Sequence, residues 1–290
     1  MSWRIVVITK RAKLDLKLNY LVIRSDETTK IFLGEISTLI IESTAVSLTA
    51  ALLSELISRK IKVIFCDFAR NPQAEMIPYY GSHDTSNKVR KQLNWKAVTK
   101  ELTWTEIVTE KIRKQKELLQ LYDHPESKLL DDYLLQLEPR DLSNREGHAA
   151  KVYFNALFGS GFTRTSDTPT NAALNYGYTI MLSAFSREIV ASGYITQIGL
   201  FHDNMFNQFN YASDLMEPFR PLVDKKVLLI NPEKFERDEK LQLIDLLNEE
   251  VIIEDKHQYI NNAIKLYCKS VFEALNEDDI SRIRFYRNEL

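Results

Sequence analysis

The strongest constraint on the fold is a change of hydrophobic periodicity about eighty residues into this 290-residue chain. Before that point, apolar residues alternate with polar ones or form short β-branched runs, as in β-strands. After the polar, turn-forming stretch 80–87, apolar residues recur every three or four positions, as in amphipathic helices. The sequence therefore predicts an α+β protein, with a small β-rich domain carrying one helix over residues 1–84 and a larger all-α domain over residues 85–290.

The N-terminal part contains short candidate strands and one candidate helix. From Lys13 to Ile23 apolar residues recur at every second position, and this run is long for one strand, so we expect a hairpin with its turn near 17–19. Apolar residues at helical spacing follow Ser43 and Thr44, which can cap a helix there. The remaining strands are expected at 4–8, 31–33, 36–41 and 61–65.

The C-terminal part shows helical patterns throughout. In the last of them, Ile260, Ile264, Tyr267 and Val271 mark one apolar face. Helices are expected at about 87–121, 127–137, 144–158, 169–192, 213–226, 237–250 and 256–275.

Scarce glycine and cysteine exclude several classes of protein. The chain has only 8 Gly, and the one close pair, Gly159 and Gly161, completes neither of the glycine motifs of Rossmann and P-loop enzymes. Its two cysteines, Cys66 and Cys268, cannot build a disulfide framework or a zinc site alone, which indicates a reducing cytoplasm. No run approaches the ~18 apolar residues of a membrane span, and no signal peptide is evident. We therefore expect a cytoplasmic protein without a membrane partner.

The near-neutral total charge hides a segregated distribution. The formal net charge is −2, yet residues 88–118 carry nine Lys or Arg against four Glu, and residues 236–255 carry eight acidic residues against two basic ones. Such runs are commonly solvated helix faces. The alternative is a basic surface over 88–118 that follows DNA phosphates, whose binding would weaken steeply with salt.

One segment rich in polar residues runs from Ser143 to Phe154. Ser143 and Glu146 have the spacing of a capping box, in which the serine caps a helix and the glutamate reaches back to its amide. Gly147 argues mildly against that interpretation, because glycine in a first helical turn costs roughly 0.5–1 kcal/mol. Close approach of another backbone or of a ligand would explain the glycine.

A second such segment contains His202 and continues to Arg220. Ser213 can cap a helix in which Asp214 and Glu217 lie one turn apart on one face, with Arg220 continuing that face. The segment fits a cap and a surface ion pair, worth at most about 1 kcal/mol. It also fits divalent-metal chemistry, because two carboxylates and one imidazole suit Mg²⁺ or Mn²⁺ and leave coordination positions for phosphate oxygens.

The ordered motifs resemble one known family. The segments Asn144–Phe154, Asn171–Tyr178 and Ser213–Pro221 resemble, in this order, the CRISPR-associated spacer-acquisition integrase (Cas-one) family, and most closely its type II branch. The likeness extends to Val63–Asp67 and Tyr79–Asp84, so it covers nearly the whole chain.

The resemblance implies a fold and a set of site residues. It implies a β-rich N-terminal domain that forms a homodimer, and a helical domain that holds a metal site. Glu146 matches the family's first ligand, His202 the second and Glu217 the third, and Asp214 is the alternative for the third position. Arg220 is expected to brace Glu217 from outside the ligand set.

The implied reaction is phosphoryl transfer on double-stranded DNA. The 3′-hydroxyl of a captured foreign fragment attacks a phosphodiester at the border of a CRISPR repeat, and the same site can cut branched DNA. The expected partners are both DNAs, a second copy of the chain, the small second adaptation protein and other type II CRISPR proteins. The alternative function is a DNA-binding scaffold of the adaptation complex that performs no chemistry.

The basic run is the expected source of contacts to the duplex backbone. Its charge fits a grip independent of sequence, which a protein that accepts fragments of any sequence requires. The residues expected to make these contacts are Lys88, Arg90, Lys91, Lys96, Lys111, Arg113 and Lys114.

Overall fold

The chain packs as two compact units. In the computed structural model, which describes residues 4–79 and 82–288, one unit comprises residues up to 85 together with 190–193. The other comprises 86–189 and the residues from 194 onward. The first unit is β-rich and the second is mainly helical, so the predicted fold class is confirmed. Tyr80 and Gly81, which begin the predicted turn-forming stretch, lie outside the described residues.

Two four-stranded sheets form the β-rich unit. Its strands are β1 Arg4–Ile8, β2 Ala12–Lys17, β3 Tyr20–Arg24, β4 Thr28–Phe32, β5 Ile36–Ile41, β6 Val46–Leu48, β7 Lys62–Cys66 and β8 Pro72–Glu75. The first sheet has the order β1-β5-β7-β8, with β1, β5 and β7 parallel and β8 antiparallel at the edge. The second has the order β4-β3-β2-β6, in which only β6 runs parallel to its neighbour.

The hairpin and the buried strand follow from the sequence pattern. Leu18 and Asn19, which connect β2 and β3, have φ values of 50° and 67°, and a two-residue hairpin of type I′ requires positive φ at both positions. The predicted turn near 17–19 is therefore confirmed. All six residues of β5 are buried, as expected for the inner strand of a parallel sheet.

The helix of the β-rich unit starts later than predicted. Helix α1 spans Ala50–Ser58, and the hydroxyl of Thr49 caps it by accepting the backbone N–H of Leu52 at 3.3 Å. The segment after Ser43 and Thr44 instead forms β6, which pairs with β2. Strand β6 has only three residues, too few for its period to be distinguished from that of a helix. The predicted cap at Ser43 and Thr44 was therefore wrong.

The second unit is built on helices. The α-helices are α2 Thr85–Leu93, α3 Ala97–Leu121, α4 Ser127–Leu135, α5 Arg145–Phe158, α6 Pro169–Ala191, α7 Asn210–Leu215, α8 Arg220–Ile230, α9 Arg237–Asp245 and α10 Ile260–Glu277. A 3₁₀ turn, Glu217–Phe219, links α7 to α8. Long helix α3 packs against α4, α5, α8 and α10.

The helix predicted over 87–121 is two helices. Helix α2 ends at Leu93, and Lys96, in extended conformation, precedes α3. Between them Trp95 is buried, and its indole N–H donates to the side-chain oxygen of Asn276 at 3.0 Å. The break follows from anchoring this large side chain in the core, which overrides the helical propensity of the flanking residues.

The all-α description of the C-terminal part needs one correction. Strands β9 Glu250–Ile253 and β10 Lys256–Tyr259 form an antiparallel hairpin, so the predicted helix 256–275 begins only at Ile260. Glu254 and Asp255 at the turn both have positive φ. Four-residue strands offer too few positions for their period to be distinguished from that of a helix.

Both cysteines are packed thiols. Cys66 and Cys268 are both buried, and burial raises the pKa of Cys268 well above its ordinary value. In the part of the chain that the structure describes, no helix is both long enough and apolar enough to span a membrane.

We predict that Gly177→Ala destabilises the protein. A Cβ at Gly177, within α6, would overlap Cγ1 of the buried residue Val223 on α8. Overpacking of this kind costs about 1–3 kcal/mol, against roughly 1 kcal/mol gained in helix propensity. Urea denaturation should therefore show a net loss of up to about 2 kcal/mol. Gly161→Ala is the control, because no atom of the described residues lies within 4 Å of its Cβ position. Equal stability of both variants would contradict the close packing of α6 on α8.

Candidate functional site

One lysine contacts two of the predicted ligands. Lys111 lies on α3 and is 7% exposed. Its ammonium nitrogen forms ion pairs with Oε1 of Glu146 and with Oε2 of Glu217. Glu146 lies in the first turn of α5 and Glu217 opens the 3₁₀ turn before α8. The fold therefore brings two of the three predicted ligands into contact with a single buried cation.

The start of α5 leaves the Glu146 side chain available. The carboxylate of Asp141 accepts the backbone N–H groups of Arg145 and Glu146, at 2.6 Å and 2.9 Å. The hydroxyl of Ser143 is buried without a hydrogen-bond partner in the described chain. The capping box of Ser143 and Glu146 was therefore wrong, because Asp141 supplies the cap and Glu146 turns to Lys111.

Gly147 has a local explanation. Asn144 precedes α5 with a left-handed φ of 53°, and a Cβ on Gly147 would lie 2.7 Å and 2.9 Å from the oxygen and nitrogen of its side-chain amide. The close neighbour is thus the Asn144 side chain, whereas the sequence pointed to a backbone or a ligand.

Arg220 holds the second carboxylate. Glu217 is 4% exposed, and the Nε–H of Arg220 donates to its Oε1 at 2.9 Å, while Oε2 faces Lys111. The guanidinium of Arg220 lies 4.7 Å from the ring centroid of Tyr178, in cation–π geometry. The expected contact between Arg220 and Glu217 is present, and each oxygen of the carboxylate faces a different cation.

The charges of the cluster stabilise one another. Burial by itself would raise the pKa of Glu217, but the positive charges of Arg220 and Lys111 outweigh it and lower this pKa to about 2. Burial by itself would lower the pKa of Lys111, but the negative charges of Glu217 and Glu146 outweigh it and raise this pKa above its ordinary value. Glu217 is therefore ionised and Lys111 is protonated at neutral pH.

Asp214 holds the loop that carries His202. Its buried carboxylate accepts the backbone N–H groups of Leu200, Phe201 and His202 at 2.5, 3.1 and 3.1 Å. It also bonds Nδ1 of the His202 ring at 2.5 Å. A Cβ on Gly199 would lie 2.5 Å from this carboxylate, so the loop closes tightly over it. The alternative third ligand, Asp214, is thus engaged in orienting the imidazole.

The imidazole of His202 lies at a partly open position. Its side chain is 39% exposed and stands edge-on to Trp104, with 5.8 Å between centroids. The hydrogen bond with Asp214 raises the pKa of His202 above its ordinary value, and the negative charge of Glu217 acts in the same direction. When Nδ1 donates to Asp214 in the neutral ring, Nε2 is left as the acceptor.

The donor set suits a divalent metal in its chemistry. Two carboxylates face one cation, and His202 has the carboxylate partner on its second nitrogen that metal-binding histidines have. Within residues 4–79 and 82–288, however, no three His, Cys, Asp or Glu side chains form a group that could hold a metal ion. The residues fit Mg²⁺ or Mn²⁺ by type, and Lys111 supplies the cation between the two carboxylates.

The basic run does not form one exposed surface. Lys111 and Lys114 are buried at 7% and 3% exposure, which contradicts their expected role in contacting DNA phosphates. Arg113 is ion-paired with Glu110, and Lys96 with Asp278 at 2.7 Å. Exposed, adjacent basic side chains remain at Arg90 and Lys91 near the end of α2, and Lys88 is half-buried there.

The sequence interpretation missed a buried polar network beside Arg220. Both oxygens of Asp224 on α8 accept tyrosine hydroxyls, from Tyr178 on α6 and, at 2.9 Å, from Tyr153 on α5. Burial raises the pKa of Asp224 to about 6, and the two hydroxyl hydrogen bonds only partly oppose this effect. The available signal was an acidic residue directly after Leu222 and Val223, on the apolar face of a helix.

The role of Lys111 was missed for a related reason. Its charge was taken to indicate a surface position. Lys111 lies one turn after Ile107 and one turn before Gln115, on the buried face of α3, and this position indicates an interior side chain.

Comparisons with known proteins agree with this architecture. The family model described as CRISPR associated protein Cas1 matches residues 5–250. A protein of Neisseria meningitidis serogroup C (strain 8013), named CRISPR-associated endonuclease Cas1, is 33% identical over 264 residues, which cover 89% of this chain and 87% of that protein.

Solved structures share the fold. A casposase bound to integration product has a TM-score of 0.78 at 17% identity, covering 97% of this chain and 93% of its own. A chain of a Cas6-RT-Cas1--Cas2 complex has a TM-score of 0.73 at 18% identity, covering 99% of this chain and 36% of its own.

We predict that Asp224→Asn changes the pH dependence of stability. The folded-state pKa of Asp224, about 6, exceeds its ordinary value of 3.8, so the folded protein retains a proton that the unfolded chain releases in this interval. Wild-type stability should therefore fall, through this group, as the pH rises from about 4 to above 6.

The asparagine variant lacks this titration and keeps an amide that can bond both tyrosine hydroxyls. Urea denaturation from pH 4 to pH 7.5 should show Asp224→Asn gaining up to roughly 3 kcal/mol relative to wild type across the range. A difference between the two proteins that does not vary with pH would contradict the raised pKa.

Proposed function

Because the chain belongs to the Cas1 family of CRISPR-associated proteins, we propose that it is a divalent-metal-dependent DNA endonuclease and integrase of CRISPR adaptation. It joins the 3′-hydroxyl ends of captured foreign DNA to the CRISPR repeat by phosphoryl transfer. One observation carries the proposal beyond the family name. Glu146 and Glu217, from distant segments, meet at one cation, and the negative charge of Glu217 also acts on His202, whose imidazole a buried carboxylate orients.

Each residue of the cluster has a role in this proposal. Glu146, Glu217 and Nε2 of His202 would hold Mg²⁺ or Mn²⁺. When bound, such an ion polarises the scissile phosphodiester and stabilises the leaving oxygen. Asp214 fixes the tautomer and direction of the imidazole through Nδ1, and Arg220 fixes the carboxylate plane of Glu217 through Oε1.

The proposed partners follow from the family and from the surface. We expect both DNAs, a second copy of the chain joined through the β-rich unit, a small second adaptation protein and other type II proteins. The structural neighbour titled as a Cas6-RT-Cas1--Cas2 complex supports the second adaptation protein as partner. Arg90 and Lys91 are the exposed basic pair available for duplex phosphates.

A DNA-binding scaffold without catalytic activity is the second candidate. The observation in its favour is the ion-paired lysine between Glu146 and Glu217, because a cluster whose charges are already balanced does not require a metal. Both candidates bind DNA, so only a measurement of strand transfer separates them.

We predict that Glu146→Gln abolishes strand transfer and leaves DNA binding intact. Loss of a direct ligand should lower the rate of Mn²⁺-dependent joining by about 100-fold or more, since outer partners of metal ligands already cost 10–100-fold. The assay uses a repeat duplex, a fragment with 3′-hydroxyl ends and the partner protein, with binding measured on the same DNAs. Glu117→Gln is the control, because Glu117 and Glu146 both have 29% exposed side chains paired with a buried lysine of α3. Full activity of Glu146→Gln would contradict the assignment of Glu146 as a ligand, whereas DNA binding without strand transfer by the wild-type protein would support the scaffold.

We predict that neutralising the α2 basic pair weakens DNA binding in a salt-dependent manner. If Arg90 and Lys91 each contact one phosphate, the double change to Gln should lower the slope of log affinity against log salt by about 1.8. The double change of Lys265 and Lys269 to Gln, two exposed lysines of α10, is the comparison and should leave the slope near wild type. Equal salt slopes in wild type and both double variants would show that Arg90 and Lys91 do not contact the DNA.

A further inference from the structure

The ammonium group of Lys111 occupies the position between the two carboxylates of the site. It contacts both Oε1 of Glu146 and Oε2 of Glu217. Oε1 of Glu217 is engaged by Arg220. The Glu217 oxygen that Arg220 leaves for a divalent ion is therefore the one that the lysine already holds, and the same ammonium also holds Glu146.

We propose that Lys111 is a built-in counter-cation that a divalent ion must displace, and that it thereby sets the affinity of the site for Mg²⁺ or Mn²⁺. This inference rests on the proposed function, since it concerns the same site. In the metal-free protein, Lys111 holds Glu146 and Glu217 together and prevents their mutual repulsion. When the ion enters, the ammonium withdraws from both carboxylates.

The charges of the cluster support displacement over coexistence. Two carboxylates, Glu146 and Glu217, are matched by two cations, Lys111 and Arg220, so the cluster is neutral before any metal binds. Adding two further positive charges beside both cations is unfavourable in a buried site, where Coulomb interactions are weakly screened. Departure of one cation removes this penalty.

Lys111 is the cation that can leave. Its charge sits at the end of a flexible four-carbon stem. Arg220 is fixed by the Nε bond to Glu217 and by its guanidinium over the Tyr178 ring, at 4.7 Å. Glu217 therefore keeps its orientation through Arg220 when Lys111 moves.

Lys114 provides a matched comparison on the same helix. It lies nearly one turn after Lys111, is 3% exposed, and also pairs with two carboxylates, Glu110 at 3.4 Å and Glu117 at 2.9 Å. Both of its partners belong to α3 itself, and its ammonium lies 4.9 Å from the Tyr286 ring centroid. Lys114 is thus a buried lysine whose ion pairs are with Glu110 and Glu117 and not with the predicted ligands.

The test is direct measurement of Mn²⁺ binding to the full-length, metal-free protein by calorimetry or electron paramagnetic resonance. Lys111→Gln should bind Mn²⁺ about tenfold more tightly or better than wild type, because it lacks the competing charge. Lys114→Gln should bind within about twofold of wild type. Lys111→Gln should also unfold at a lower temperature without metal, and Mn²⁺ should raise its Tm more than that of wild type.

Further variants separate the possible failures. Lys111→Gln combined with Glu146→Gln should lose the gain in affinity. If Glu146→Gln alone removes Mn²⁺ binding but Lys111→Gln does not strengthen it, the role of Lys111 is overturned and the proposed function stands. If the Glu146→Gln variant binds Mn²⁺ as tightly as wild type, the proposed metal site is wrong, and the role of Lys111 is then overturned as well.

A measurement on wild-type protein covers the case in which Lys111→Gln does not fold. Brief acetylation followed by mass spectrometry reports the accessibility of each lysine amine. Saturating Mn²⁺ should increase acetylation of Lys111 severalfold and leave Lys114 unchanged. Acetylation of Lys111 that does not respond to Mn²⁺ would contradict displacement.

Discussion

A single buried ammonium group joins three segments of the helical unit. Lys111 projects from α3, the long helix against which α4, α5, α8 and α10 pack, and it meets carboxylates from the start of α5 and from the turn before α8. Without a cation at this point, Glu146 and Glu217 would face each other as like charges in a region of low dielectric. The relative position of α3, the start of α5 and the turn before α8 therefore depends on a positive charge between the two carboxylates, supplied either by the lysine or by a bound ion.

Two supports extend outward from that charge. Arg220 connects Glu217 to Tyr178, and Tyr178 shares Asp224 with Tyr153, so the carboxylate is linked to α5, α6 and α8 through one polar chain. A separate support holds His202, because Asp214 fixes both the loop backbone and the ring. Neighbours of this kind lock the rotamers of the cluster, and here they include buried acids and tyrosines of the helix core.

The sequence predicted the residues of this site better than the contacts between them. Glu146, His202, Glu217 and Arg220 lie in short segments whose residue types stand out along the chain, and the hairpin at Leu18 follows from local alternation alone. The roles of Lys111 and Asp141 depend on which helices pack together, and no local pattern contains that information. A charge count assigned Lys111 to the surface because counting along the chain ignores the face of the helix. The Ser143 capping box failed because the left-handed turn at Asn144 brought Asp141 into the capping position instead.

Stability alone does not explain this cluster. Buried ion pairs are weak contributors to folding, because desolvation offsets much of their attraction, and well-packed apolar residues in their place are often neutral or stabilising. Here Lys111, Glu217 and Asp224 are all buried, and the pKa of Asp224 is raised to about 6, so several ionisable groups lie in the interior of one helical unit. Buried charges at this site are explained if the site requires charged groups for its function. The proposed role of Lys111, a movable cation that keeps the carboxylates ready for a divalent ion, would satisfy that requirement without making the fold depend on a metal.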